Sequence, residues 1–204
     1  MDVFEAITSR VSITAYKDAG VEREKVARLL EAARWAPSAG NMQVAEYIIV
    51  EDDELLEQLA TYARNQPHIR EAPLALVILA DVEKAERNYE DRGELYALQE
   101  TAAAMQNALL MAHDQGLGAA WVGAFDEEDV RSLLHVPDRL RPVAIVTVGY
   151  PDERPEQPRK YEITDITYQN EYGNRVHPLY EKIVWRGLRH YGKKIRRKIG
   201  DMVS

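Results

Sequence analysis

Two short stretches hold the residues whose types and spacing could do chemistry. In Arg10-Val11-Ser12, Arg10 and Ser12 stand two apart, so on an extended backbone they point to one side. A guanidinium fork beside a hydroxyl grips a phosphate well, although a lone Arg in a surface loop is commoner. In Pro37-Ser38-Ala39-Gly40-Asn41-Met42-Gln43, small polar side chains and turn-forming residues crowd together. Ser, Asn and Gln in that arrangement could ring a flat polar heterocycle with hydrogen bonds. The same residues also compose an ordinary helix-to-strand turn.

Other chemistries lack their signatures. Zero cysteines remove disulfides, thiol catalysis and Cys-ligated metal centres. The histidines, His68, His113, His135, His177 and His190, show no metal-ligand spacing. Neither a phosphate-binding P-loop nor a nucleophile elbow is present. Gly116-Leu117-Gly118 follows a helical pattern, and Trp121 stands where a dinucleotide fingerprint needs glycine. What remains is a scatter of Arg, Ser, Asn and Gln with glycine turns. Such a set binds a cofactor and leaves the bond-making to it.

The elements that must position these residues follow from periodicity. Residues 2–9 predict a short helix, and 9–16 an extended segment. Over residues 21–36, Val26, Leu29, Leu30 and Ala33 share one helical face, which Pro37 stops. Tyr47-Ile48-Ile49-Val50 predicts a buried strand. A helix is expected over 52–64 with Leu55, Leu56 and Leu59 inward. A strand over 73–80, apolar on both faces, is expected at the centre of a sheet. Residues 83–93 are dense in charge and read as a solvated excursion or lid. The clearest helix spans 95–115, with Leu95, Leu98, Ala102, Met105, Leu109 and Ala112 inward. A strand over 119–125, a helix over 127–134 capped by Asp126, and a strand over 142–151 complete the body. Residues 152–160 form a charged loop.

At 204 residues the chain suits one domain with a full core, or one subunit of an obligate dimer. Hydrophobic residues make up 46% and charged residues 29%, as in soluble globular proteins, and no apolar run of about 18 residues could span a membrane. The acidic start, Met1-Asp2-Val3-Phe4-Glu5, carries no signal-peptide pattern, so cytoplasmic residence is the default expectation. The net charge of -8 hides an asymmetry: residues 175–204 hold nine Lys/Arg against two Asp/Glu, and the remainder 17 against 32. An acidic body does not read as a nucleic-acid surface. The basic tail repeats Leu179, Ile183, Val184, Leu188, Tyr191, Ile195 and Ile199 at helical spacing. Docking on the acidic body or a twin subunit is expected over docking on an anionic membrane. Two regions are therefore expected, residues 1–174 and a basic extension, 175–204.

Four segments, in register, resemble the FMN-dependent nitroreductase family. They are Ser9-Arg10-Val11-Ser12, the run from Ala32 through Gln43, the stretch 100–125 with Gly-Leu-Gly and Trp-Val-Gly, and the stretch from Gly149-Tyr150-Pro151 to Arg159-Lys160. The resemblance covers about residues 3–173. It implies an α+β fold, a mixed β-sheet flanked by helices in an intertwined homodimer, with FMN at the interface. It implies an oxidoreductase carrying hydride from NAD(P)H, through flavin N5, to a nitroaromatic or quinone in ping-pong order. By the same resemblance, Arg10 and Ser12 hold phosphate and flavin ring, while Pro37, Ser38, Ala39 and Asn41 of the partner surround the ring. Gly123 aims a backbone N–H at flavin N5, Arg159 and Lys160 clamp the phosphate, and Asn65 and Gln66 reach the pyrimidine edge. No side chain is expected to act as catalytic acid or base.

Three positions depart from the family pattern. Thr14 stands where a basic residue is usual, which disfavours the anionic reduced flavin and lowers its potential. Val11 replaces the second Arg of an Arg-Arg-Ser pattern, and Val44-Ala45 replaces Pro-Trp in the pocket wall. Thr14 and the altered wall favour the alternative, a flavin-handling protein with little reductase turnover.

Overall fold

The computed structural model describes residues 1–178, and the chain divides into two compact units, Met1–Glu156 and Gln157–Ser204. The amphipathic helix expected beyond residue 178 lies outside the described residues.

Helices and short strands alternate along the first unit. Helix α1 (Val3–Ser9) starts where the Asp2 carboxylate accepts the Glu5 N–H. Helix α2 (Arg23–Arg34) buries Val26, Leu29 and Ala33, the spacing expected of one helical face. The chain then makes a tight 3-10 turn at Ala39–Asn41 and enters β1 (Ala45–Val50). Helix α3 (Asp53–Tyr62) is capped by Asp52 and buries Leu56 and Leu59, and α4 (Pro67–Arg70) has its proline in the first turn, where no N–H is needed. Strand β2 (Leu74–Asp81) is buried at every position. Helices α5 (Val82–Tyr89) and α6 (Gly93–Asp114) follow, then β3 (Gly118–Val122), α7 (Glu127–Leu133) and β4 (Leu140–Gly149).

The strands form one sheet in the order β1-β2-β4-β3, antiparallel at each pairing. Strand β2 sits inside it, and its alternation explains why both faces are apolar. Ala75, Val77 and Leu79 join a core with Leu56, Leu59, Val130 and Ile145 under α3 and α7. Leu74, Leu76 and Ile78 join the opposite core with Val26, Leu29, Met105 and Leu109 under α2 and α6. Pro142 lies within inner strand β4, where a missing N–H normally bars proline. A register shift between Ile78 and Leu79 accommodates it, with Leu79 facing Pro142 and Ile78 facing Ala144.

Three expectations change. Residues 83–93 are not an irregular excursion: α5 packs through Ala85 against Ala80, Val44 and Ala97, and only its outer surface carries the charge. Strand β1 is an edge strand, with Ile49 44% exposed, rather than a buried one. The inner face of α6 runs through Gly93, Ala97, Ala104, Ala108 and Ala112, so Leu95 is turned outward. Small residues face inward because α2, α5 and the sheet all approach α6 closely.

In the second unit, α8 (Ile163–Ile166) is followed by a bridge between Tyr168 and Arg175, whose guanidinium donates to the Thr164 carbonyl at 2.8 Å. Among the described residues, no helix is long and apolar enough to cross a membrane.

Candidate functional site

The expected residues fall into three groups. The first lies along the extended segment after α1. Ile13 is buried and its N–H donates to the Ala119 carbonyl of β3 at 3.1 Å, while Ser12 and Thr14 on either side are exposed. Period two therefore holds here, and Arg10, half-buried at the end of α1, starts the run. Arg10, His113 and Arg154 line one small cleft floored by Ile13, Leu109, Leu117 and Ala119. Among the described residues that line it none is acidic, although Asp114 and Glu5 lie close enough to act on His113. His113 is buried on α6, with its Nε2 2.7 Å from the Ser9 hydroxyl. Burial, and then the charges of Arg154 and Arg10, push its imidazole below the usual histidine range. The cleft thus presents two guanidinium groups together with an imidazole that resists protonation, a combination suited to an anion.

The second group is the turn after α2. Pro37, Gly40 and Asn41 are exposed, and Ser38 and Ala39 are half-buried. Gly40, Asn41 and Gln43 all have left-handed φ, at 55°, 56° and 53°. A non-glycine residue held there costs roughly 1–3 kcal/mol, and such strain persists only where the surroundings fix it. They do so from three sides. Glu100 of α6 accepts the N–H groups of Val44 at 2.6 Å and Ala45 at 3.2 Å. Lys84 of α5 donates to the Gln43 carbonyl at 3.5 Å. The Tyr89 hydroxyl would lie 2.7 Å from a side chain placed at residue 40, and the left-handed φ there suits glycine as well.

The third group joins two turns. Gln66 donates from Nε2 to the carbonyls of Ala63 at 2.9 Å and Ala124 at 3.3 Å, which places Asn65 and Gln66 beside the turn holding Gly123. Asn65 is exposed with φ 56°, and Gly123 is exposed with only the Trp121 indole nitrogen, at 3.8 Å, near the place of a side chain. The first and third groups occupy the two ends of β3. The second leads into β1, the opposite edge of the sheet. Arg159 and Lys160 are exposed residues of the second unit.

Beside the turn, a groove of about 550 Å³ opens between α2, β1 and α6, lined by Leu30, Ala33, Tyr47 and Ile49, with Glu100 at its wall. Burial first, and then the Glu100 charge, push the Tyr47 phenol up to about 12. The folded chain thus holds this proton more tightly than the unfolded chain does. Stability contributed by neutral Tyr47 is complete below pH 10 and falls as pH rises from 10 to about 12. Urea unfolding across that window should show the decline, and Tyr47→Phe should flatten it; an equally steep decline in the variant would refute the assignment.

Reading the sequence alone missed Arg154, His113 and Glu100. Arg154 lay in a charged loop with Arg159 and Lys160 nearby and no pattern to rank them. Glu100 did leave a signal, being the one acidic residue on α6 between Glu94 and Asp114.

A sequence profile of the nitroreductase family matches residues 7–67 and 60–150. A relative named NADH dehydrogenase/NAD(P)H nitroreductase, from Methanothermobacter thermautotrophicus, is 34% identical over 76% of this chain and 80% of its own. FMN reductase (NAD(P)H) of Bacillus subtilis is 27% identical over 85% of this chain and 76% of its own. An FMN-dependent nitroreductase of Clostridium difficile superposes with a TM-score of 0.73 at 28% identity, covering 83% of this chain and all of that one. Profile, relatives and fold agree, and the chain belongs to the nitroreductase family.

Proposed function

We propose that the chain is an oxidoreductase that holds FMN and uses NAD(P)H to reduce a small acceptor, a nitroaromatic or quinone. The observation that carries this reading is the layout along β3: a cationic cleft at one end and the open backbone of Gly123 at the other. The donor set fits FMN. Two guanidinium groups suit a phosphate monoester, and exposed Ser12, Thr14, Asn65 and Asn41 offer neutral partners to a polar ring.

Arg10 and Ser12 would hold the phosphate and the flavin ring, and Arg154 joins Arg10 at the phosphate. Arg159 and Lys160 are each proposed as phosphate-binding cations. Gln66 holds the Ala124 carbonyl and so fixes the turn that presents the Gly123 N–H. Pro37, Ser38, Ala39 and Asn41 would border the ring from a second copy. Bound FMN supplies two-electron redox chemistry that none of these side chains provides. The chain's own work is to bind, orient and shield, and reductant and acceptor use one pocket in turn.

A homodimer is part of the reading. Gly123 and the 38–43 turn leave opposite edges of the sheet, three strand spacings or roughly 14 Å apart. A second copy can bring one set to the other. Val3, Ile7 and Trp35, exposed by 74%, 50% and 73%, give the apolar surface such an interface needs. Residues 175–204 are assigned to a basic extension whose charge suits the acidic body of this chain or of a twin subunit, and the cytoplasm is the expected setting.

Thr14 favours a second reading. Its exposed hydroxyl gives no cation to a reduced flavin, as a protein that handles flavin without rapid turnover would have it. Steady-state NAD(P)H oxidation with a quinone acceptor separates the two: turnover supports the reductase, and none at saturating FMN supports the other.

A further inference from the structure

We propose that Glu100 is the positioning residue for the FMN-facing turn, holding residues 38–43 in register by gripping the two amides that follow them. The proposal rests on the FMN reading above. Glu100 is only 6% exposed, on a 22-residue helix whose buried positions around it, Gly93, Ala97, Thr101, Ala104 and Met105, are small or apolar. A carboxylate in such surroundings is costly unless it is hydrogen-bonded, and an apolar side chain would cover the same wall at less cost. What Glu100 does with its charge is specific. One oxygen, Oε1, receives both the Val44 and the Ala45 N–H.

Those two amides lie immediately after three left-handed residues within four positions. Val44 itself is 1% exposed, so the turn leaves a fixed point formed by a buried side chain and a charged acceptor. The other contacts are weaker anchors: the Lys84 bond is long, at 3.5 Å, and Tyr89 only packs its hydroxyl beside Gly40. Glu100 stands on a long helix, which locates a side chain more rigidly than a loop can. It touches no reacting group. It acts through the direction in which Ser38, Ala39 and Asn41 are presented.

The test is FMN titration of apoprotein, followed by flavin fluorescence quenching, with Glu100→Ala, Glu100→Asp and Glu100→Gln. Losing a buried charge-assisted contact should weaken FMN roughly ten- to hundredfold in Glu100→Ala. Glu100→Asp keeps the charge but withdraws it by one methylene, so it should weaken FMN as well, and it serves if the alanine variant does not fold. Glu100→Gln keeps an oxygen able to accept both N–H groups and should recover most of the affinity. Wild-type affinity in Glu100→Asp, or no recovery in a folded Glu100→Gln, would overturn the proposal. Amide exchange at residues 38–45 of the apoprotein gives a second readout: it should be faster in Glu100→Asp and unchanged elsewhere in the sheet. If the wild-type chain takes up no FMN, the parent reading fails, while exchange at the turn still decides the role of Glu100.

Discussion

Gly93→Ala is expected to lower the melting temperature by roughly 10 °C, corresponding to about 3 kcal/mol. Gly93 begins α6 where it crosses the end of α5, and a methyl group there would fall inside the backbone of Ala85 and Glu86, 2.6 Å from the Ala85 carbonyl carbon. Backbone atoms of a packed helix cannot swing aside as a flexible side chain can, so the two helices must part. Their separation would loosen Ala85 from Ala97 and Val44, the small cluster that also backs the 38–43 turn. Gly20→Ala is the control. Nothing lies within 4 Å of its new methyl, and stiffening the unfolded chain should leave stability level or slightly higher. Thermal melts of both variants check the pair; a Gly93→Ala melt equal to wild type would show that α5 and α6 do not approach so closely.

Arg10→Ala should weaken FMN binding by roughly ten- to hundredfold, the worth of one charge-assisted contact of about 1.5–3 kcal/mol. Arg10 lines a cleft with Arg154, so two guanidinium groups face the place where the phosphate is expected. Arg154→Ala should weaken FMN in the same direction. Titrating each variant with FMN, and with riboflavin as the phosphate-free comparison, assigns the loss to the phosphate. If Arg10→Ala binds FMN as tightly as wild type, the phosphate lies elsewhere.

Where one periodicity governed a segment, the fold was legible in the sequence. Val26, Leu29 and Ala33 announced α2, and the unbroken apolar run of β2 announced an inner strand, because a strand covered on both faces cannot alternate. Asp126 was recognisable as a cap since its carboxylate has the Glu128 and Asp129 amides in reach. Segments resting on small residues were harder. Helix α5 buries little besides Ala85, so its charges dominate the sequence, and α6 turns its alanines inward and Leu95 outward. A periodicity count weights large apolar residues, and close helix packing rewards the opposite.

Composition of the site was legible in part for a different reason. The turn at residues 37–43 is local, so its small and polar residues advertised it. The Arg10 cleft is assembled from the end of α1, the C-terminal end of α6 and the loop after β4, and nothing in sequence links His113 or Arg154 to Arg10. Glu100 is the intermediate case, an isolated charge on an apolar helix whose partner amides only the fold reveals.

The central claim is that separated segments of this chain converge on one FMN per copy. Titration of purified apoprotein with FMN, followed by visible absorption and sedimentation, tests it most directly. The account predicts a yellow protein that saturates at one FMN per chain and sediments as a dimer. A colourless protein that takes up no FMN at any concentration would contradict it.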